Sequence, residues 1–170
     1  MAEVQTRAMT AAVRLTNLTE EITTEVENLP ADLIHWIPAP GVWTVMDNLC
    51  HIREFVPFWT GEALRIARRS GERWGRDQTD AARLAAVTNT STFEVDEVLA
   101  DIRKAARRSA EALKTLTDDD LAVEATSKNP HWGVKPASFV IDDLLVDHLA
   151  KHQRQIRRNV SQFNDAREHA

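Results

Sequence analysis

Apolar residues recur in steps of three and four along four stretches of the chain, the spacing that places them on one face of an α-helix. The stretches run from Val4 to Leu29, from Val45 to Ile66, from Val95 to Leu116 and from Ala137 to Phe163. The fourth stretch has the most regular pattern. Four amphipathic helices of this length are typical of an antiparallel bundle.

Proline, glycine and polar residues interrupt the pattern between these stretches. A proline-rich loop follows the first helix. Residues 70–91 form a long connection with room for a short helix near 81–87, and residues 121–136 form a second, irregular one. Thr44 and Asp47 have the spacing of a capping box at the start of the second helix. The pattern predicts an all-α four-helix bundle in a single domain over residues 1–170, with long connections between helices 2 and 3 and helices 3 and 4.

The composition narrows the classes of function. Hydrophobic residues make up 43% and charged residues 28% of the chain, as in an ordinary globular protein. The net charge of −5 gives no basic surface for nucleic acid. A single cysteine, Cys50, excludes an internal disulfide, and no apolar run approaches the roughly 20 residues that span a bilayer. We therefore expect a cytoplasmic protein that binds neither nucleic acid nor membranes.

Histidines on two of the predicted helices are candidate metal ligands. His148 and His152 lie one helical turn apart on or beside the buried face of the fourth helix, so both rings can reach one ion. The glutamate that zincin metalloproteases carry after their first histidine is Leu149 here, so the peptidase base is missing. His51, on a second buried side of the second helix, is the natural third candidate. Three neutral imidazoles with an open position are typical of catalytic zinc sites.

The segment Gly41–His51, which reads GVWTVMDNLCH, together with His148 and His152 resembles the DinB-like superfamily of metalloproteins. That superfamily includes YfiT-type metal hydrolases and the N-terminal domain of mycothiol-dependent maleylpyruvate isomerase. The resemblance covers nearly the whole chain. It implies an up-down-down-up bundle, a divalent metal such as zinc or nickel on His51, His148 and His152, and a homodimer. It also implies S-transferase activity with bacillithiol, mycothiol or glutathione.

Other polar and aromatic residues are candidates for supporting roles. Asp47 and Asp147 lie close to the histidines in sequence and could orient an imidazole by accepting its second N–H. Helix capping and solvated charge are equally good interpretations of these carboxylates. Two His-Trp pairs in the connections could line a pocket above the metal or act as packing caps. These pairs are His35 with Trp36 and His131 with Trp132.

Three functions remain open at this point. The first is a metal-dependent transferase that activates a low-molecular-weight thiol and acts on a small-molecule substrate. The second is a metal-dependent hydrolase or isomerase, in which the cation activates water or polarises a carbonyl. The third is a non-catalytic metal-binding protein with a role in stress response. Imidazole ligands suit several divalent metals, so the sequence leaves the metal open.

Overall fold

The computed structural model describes residues 6–169, in which four long helices form a bundle and shorter elements occupy the connections. In chain order the elements are α1 (Arg7–Glu27), α2 (Ala31–Ile34), α3 (Val45–Ala67), α4 (Ala81–Ala86), a 3₁₀ turn (Thr90–Thr92), α5 (Val95–Leu113), α6 (Asp118–Ala122), β1 (Glu124–Thr126), β2 (Val134–Pro136), α7 (Ala137–Phe139), a π-helical segment (Val140–Asp147) and α8 (His148–Glu168). Val4, the first apolar position of the predicted first helix, lies outside the described residues. The four predicted helices are confirmed.

Threonine side chains fix the starts of several helices. Thr6 accepts a hydrogen bond from the backbone N–H of Met9 and caps α1. At α3, the hydroxyl oxygen of Thr44 accepts from the N–H of Asp47, and the Asp47 carboxylate accepts from the N–H of Thr44. This reciprocal pair satisfies two amide groups that the first turn leaves free. The predicted capping box is confirmed, and it sets the register of the helix that carries His51.

Contacts between α1 and its neighbours fix the helix directions. Arg103, near the middle of α5, pairs with Glu27 at the end of α1 at 2.6 Å. The backbone N–H of Arg7, at the start of α1, donates to Asp118, which follows α5 in the chain. These contacts place α1 antiparallel to α5. Arg7 at the start of α1 pairs with Asp142 of the π-helical segment, and Glu25 near the end of α1 pairs with Arg157 of α8. Later residues of α1 thus contact later residues of the last helix, so the two helices are parallel.

The directions of α3 and α8 complete the topology. Asn48 near the start of α3 contacts His152, and the Trp43 carbonyl just before α3 accepts from the side chain of Asn159, further along α8. Contacts that run in opposite senses along the two helices show that α3 and α8 are antiparallel. The order is therefore up-down-down-up, as predicted. The parallel neighbours α3 and α5 require a connection that returns along the bundle, which explains the length of residues 68–94.

The second long connection contains a hairpin that the hydrophobic pattern did not predict. Strands β1 and β2 pair antiparallel, with Ala125 opposite Lys135. The indole N–H of the fully buried Trp74 donates to the carbonyl of Ala125 at 2.8 Å. Strands of three residues are too short to show an alternating pattern, so residues 121–136 read as irregular. The hairpin joins the two long connections at one side of the bundle.

Residues 74–80, which we call the strap, follow α3 and pack against the hairpin. Gly75 has a φ of +84°, and a Cβ at this position would lie 3.2 Å from the hydroxyl oxygen of Ser127. The backbone N–H of Gly75 donates to the buried carboxylate of Glu62 in α3. A glycine is needed here because of both the positive φ and the close approach. The strap is thus held to α3 at one end.

The apolar faces of the long helices pack into one continuous core. Its largest fully buried residues include Leu15 of α1, Ile52 of α3, Leu99 of α5 and Ile141 of the π-helical segment. Within residues 6–169, every helix is either too short or too polar to cross a bilayer.

Substitution Leu99→Ala should lower the free energy of unfolding by about 2–5 kcal/mol, because it removes buried methyl groups and leaves a cavity in the core. Leu99 is 1% exposed, whereas Leu84 in α4 is 47% exposed. Leu84→Ala is therefore the matched control, and its effect should stay within about 0.5 kcal/mol. Urea denaturation of both variants measures the difference, and equal losses would contradict the assigned core.

Candidate metal centre

Three histidine side chains from two helices meet inside the bundle. His51 lies near the start of α3, and His148 and His152 lie on successive turns of α8. One ring nitrogen from each lies within 4.8 Å of the others. The ring centroid of His51 is 5.3 Å from that of His148 and 4.9 Å from that of His152. The antiparallel packing of α3 and α8 brings these rings together.

The backbone determines the protonation pattern of His148. Its Nδ1 lies 3.2 Å from the carbonyl oxygen of Leu144, which belongs to the π-helical segment. A carbonyl oxygen only accepts hydrogen bonds, so Nδ1 must carry the proton. The lone pair of His148 is therefore on Nε2. Wide π-helical turns are frequent at functional sites, and here one supplies the acceptor that orients a ring.

A chain of two hydrogen bonds determines the protonation pattern of His152. The side-chain nitrogen of Asn48 donates to the carbonyl oxygen of Thr44 at 2.8 Å, which fixes the orientation of the amide. The amide oxygen of Asn48 therefore faces Nδ1 of His152, at 2.7 Å. Since this oxygen only accepts, Nδ1 of His152 carries the proton and Nε2 carries the lone pair.

The two Nε2 atoms of His148 and His152 are 3.0 Å apart. Both have a bare lone pair, so neither can donate a hydrogen bond to the other. Two nitrogens bound to one zinc ion at about 2.0–2.1 Å lie roughly 3 Å apart, so the spacing fits a shared cation. A buried cation would convert the repulsion between these lone pairs into coordination. The donor set thus fits a divalent metal.

Burial keeps the three rings neutral. It lowers the pKa of His148 to about 4 and the pKa of His152 to about 3. The pKa of His51 falls to about 2, first because of burial and then because of the two neighbouring histidines. At neutral pH all three rings are therefore uncharged, which is the form in which an imidazole binds metal.

Aromatic side chains enclose the rings and limit their rotation. Trp43 stacks on His152 with ring centroids 5.9 Å apart and meets His51 edge-on at 5.2 Å. Phe55 stacks on His148 at 4.2 Å. A site held by neighbours on several sides is preorganised, because little ring motion is needed to place the lone pairs.

The Nδ1 atom of His51 differs from the other two. It is buried and has no hydrogen-bond partner among residues 6–169. The nearest carboxylate oxygen, Oε2 of Glu54, lies 4.0 Å away, one turn further along α3. This is beyond hydrogen-bond distance. The orientation of the His51 ring therefore depends on the aromatic contacts.

A cavity of about 860 Å³ opens beside the histidines. His51 and His148 lie on its wall, so an ion held by the cluster would face the cavity. The rest of the lining combines two tryptophans, cations, carboxylates and polar groups. These residues are Trp59, Arg76, Asp77, Gln78, Thr79, Arg83, Asn129, His131, Trp132, Asp143, Leu144 and Lys151. The strap, α4, the hairpin turn and the last helix all contribute.

The two aspartates predicted to support the histidines make other contacts. Asp47 accepts from the N–H of Thr44 at 2.9 Å and from the hydroxyl of Thr90 at 2.5 Å. Asp147 pairs with Arg14 of α1 at 3.3 Å. These are the capping and surface-charge roles that the sequence analysis weighed as alternatives. Asn48 and the Leu144 carbonyl make the contacts to the imidazoles instead.

The two His-Trp pairs lie in different places. His131 and Trp132, in the turn of the hairpin, line the cavity. His35 is exposed, and Trp36 packs edge-on against Phe163 with ring centroids 5.5 Å apart. Trp36 therefore packs against the last helix away from the cavity, which is the packing-cap alternative for the pair His35 and Trp36.

Sequence reasoning missed Asn48, Glu54 and Arg76. Asn48 is fully buried between apolar neighbours. A polar residue among the buried positions of a helix needs a hydrogen-bond partner, and this was the available signal. Glu54 lies one turn after His51, which is a weaker signal. Arg76 lies in a connection without periodicity, where no pattern shows that its side chain is only 6% exposed.

Comparison with known proteins identifies the family. The sequence profile of the DinB superfamily matches residues 14–156. The chain belongs to the DinB superfamily. This confirms the family predicted from the tryptophan, the capping threonine and the three histidines. No curated protein sequence matches the chain.

Two solved structures show the same fold as this DinB-superfamily protein. YfiT from Bacillus subtilis, a probable metal-dependent hydrolase with an unusual four-helix bundle topology, is 14% identical, with a TM-score of 0.78 over 96% of this chain and 91% of YfiT. The mycothiol-dependent maleylpyruvate isomerase is 16% identical, with a TM-score of 0.61. That match covers 90% of this chain and 59% of the isomerase. At these identities the likeness establishes the fold.

The metal-free protein should lose stability as the pH falls below 6.5. The unfolded histidines, with a pKa near 6.5, bind protons there, while the folded rings stay neutral down to their pKa values of about 4 and below. Between pH 6.5 and the pKa of the folded ring, each of these histidines lowers the free energy of unfolding by up to about 1.4 kcal/mol for every pH unit of acidification. Denaturation in the presence of a chelator at several pH values measures the slope.

Two variants assign that slope to the cluster. His148→Gln should reduce the slope, because one buried titrating ring is removed. His131→Gln replaces an exposed histidine and should leave the slope as in the wild type. An unfolding free energy that is the same at pH 6.5 and pH 5 in the wild type would contradict the protonation states described above.

Proposed function

We propose that this protein is a metal-dependent enzyme that holds a divalent cation on His51, His148 and His152. The observation that carries the proposal is the pair of unprotonated Nε2 atoms of His148 and His152, 3.0 Å apart in a buried setting. Each of these rings has its Nδ1 proton committed to a protein acceptor. Zinc and nickel both suit three imidazole ligands.

The cavity supports catalysis on a small molecule. Its volume of about 860 Å³ lies within the range of sites for small ligands, about 300–1,000 Å³. A divalent cation on three histidines supplies positive charge at an open position, which lowers the pKa of a thiol or a water bound there. Trp59 and Trp132 provide apolar walls that exclude water from part of the cavity.

We favour a transferase that activates a low-molecular-weight thiol, of the mycothiol, bacillithiol or glutathione type. Cys50, the chain's only cysteine, is fully buried and burial raises its pKa, so it is a poor nucleophile. A thiol cosubstrate would supply the nucleophilic sulfur instead. Arg83 and Lys151 line the cavity, and among residues 6–169 neither side chain forms an ion pair with a carboxylate, although the Arg83 guanidinium donates to the carbonyl oxygen of Gln78 at 3.1 Å. They are suited to bind the carboxylates of such a thiol.

A metal-dependent hydrolase is the second candidate function, and Asp143 favours it. This carboxylate lies on the cavity wall with His148. Desolvation and the neighbouring Asp147 and Asp142 raise its pKa, so it is a candidate general base for a water in the cavity. The fold shared with YfiT is consistent with this alternative.

Protein purified without added metal should contain a close to stoichiometric amount of one divalent metal. His152→Gln should lose most of it, because the amide cannot replace an imidazole that is held between Asn48 and the ion. His131→Gln, which changes a histidine of the cavity wall outside the cluster, should keep its metal. Elemental analysis of the three proteins measures this. Equal metal content in all three, or none in the wild type, would contradict the site.

Metal-loaded protein incubated with a panel of low-molecular-weight thiols and electrophiles should form a thioether conjugate with at least one pair, detected by mass spectrometry. Chelation should abolish this activity, because the thiol would return to its ordinary pKa of about 8.5. Arg83→Gln should raise the KM for the thiol. Ester or amide hydrolysis that needs no thiol and is lost in Asp143→Asn would instead support the hydrolase.

A further inference from the structure

One buried nitrogen of the candidate centre lacks a partner. Nδ1 of His148 and Nδ1 of His152 both contact acceptors within hydrogen-bond distance, whereas Nδ1 of His51 has none among the described residues. A buried nitrogen without a hydrogen-bond partner destabilises the folded protein, so a partner is expected in the functional state. The Oε2 atom of Glu54 is the carboxylate oxygen that approaches it, at 4.0 Å.

Glu54 is held away from His51 by an arginine of the strap. The Nη1 and Nη2 atoms of Arg76 lie 2.5 Å and 2.7 Å from the two carboxylate oxygens of Glu54. The guanidinium also packs over the ring of Phe58, 3.8 Å from its centroid. The Arg76 side chain is only 6% exposed, so this ion pair is largely shielded from solvent.

The same arginine connects Glu54 to the far wall of the cavity. Arg76 lies 3.2 Å from the carboxylate of Asp80 at the end of the strap. Asp80 caps α4 by accepting from the backbone N–H of Arg83 at 2.9 Å. A continuous series of contacts therefore runs from Glu54 through Arg76 and Asp80 to the helix that carries Arg83.

We propose that Glu54 is a positioning residue for His51 and that Arg76 shares its carboxylate between the histidine and the strap. The inference rests on the proposed metal site. A movement of Oε2 by about 1 Å brings it within the usual N–H···O distance of about 2.9 Å from Nδ1 of His51. The hydrogen bond fixes the proton on Nδ1 and leaves Nε2 as the metal-binding atom, as in the other two rings.

The carboxylate is suited to this role because it has two oxygens. Oε1 can remain with Arg76 while Oε2 accepts from His51, so the strap stays attached when the histidine gains its partner. A carboxylate on the second nitrogen of a ligating histidine increases the basicity of the ring. Glu54 thus links the strength of His51 as a ligand to the position of the cavity wall.

The test compares the zinc affinity of three variants with that of the wild type, measured by competition with a chromophoric chelator. Glu54→Gln should weaken zinc binding by about 10- to 100-fold, the usual effect of losing an outer partner of a ligating histidine. Arg76→Met, which removes the strap contact and leaves the carboxylate for His51, should bind zinc as well as the wild type or better.

Glu62→Gln is the matched control. Glu62 is a second buried glutamate of α3, which holds the strap through Gly75 and pairs with Arg65 at 2.9 Å. Its loss should reduce thermal stability without changing zinc affinity. Equal losses of zinc affinity in Glu54→Gln, Arg76→Met and Glu62→Gln would show that Glu54 only anchors the strap, and would overturn the assignment.

A spectroscopic measurement on the wild type completes the test. In the zinc-loaded protein, long-range ¹H–¹⁵N spectra should show a protonated Nδ1 on His51 with a strongly downfield proton, and this signal should be lost or shifted in Glu54→Gln. A proton on Nε2 of His51 would overturn the assignment while leaving zinc binding intact. A wild-type protein that binds neither zinc nor nickel would overturn the metal site and the role of Glu54 with it.

Discussion

The candidate centre depends on the way the backbone of two helices fixes the protons of two imidazoles. The Thr44 carbonyl orients the amide of Asn48, and that amide orients His152. The carbonyl of Leu144 does the same for His148. Because both Nδ1 protons are used, both Nε2 lone pairs face each other, and a cation between them would replace their repulsion with coordination. The helix cap at Thr44 is therefore part of the site as well as the start of α3.

The topology of the bundle explains where the cavity lies. The parallel arrangement of α3 and α5 requires a long returning connection, and that connection supplies the strap and α4. Trp74, the buried first residue of the strap, stacks on Trp132 of the hairpin turn with ring centroids 5.6 Å apart. Residues far apart in the sequence thereby form one wall beside His51 and His148. The fold thus builds a site of charged and aromatic groups from segments that contribute little to the helical core.

Much of the fold and part of the site followed from the sequence. The apolar spacing located all four long helices, and Thr44 with Asp47 located the start of α3. His148 and His152 could be paired because a helical turn fixes their separation. Asn48, Glu54 and Arg76 could not be assigned, because their roles depend on contacts across helices and connections that no local pattern encodes. The carboxylates Asp47 and Asp147 were plausible partners by proximity in sequence, but cap geometry and Arg14 determine where they point.

The most direct test of the account is a crystal structure of the zinc-loaded protein with anomalous diffraction data collected at the zinc absorption edge. We expect one peak between α3 and α8, with Nε2 of His51, His148 and His152 each about 2.0–2.1 Å away and an open position toward the cavity. A fully loaded protein in which the zinc lies elsewhere, or contacts the Nδ1 atoms of His148 and His152, would contradict the proposal that the backbone presets these imidazoles for a metal.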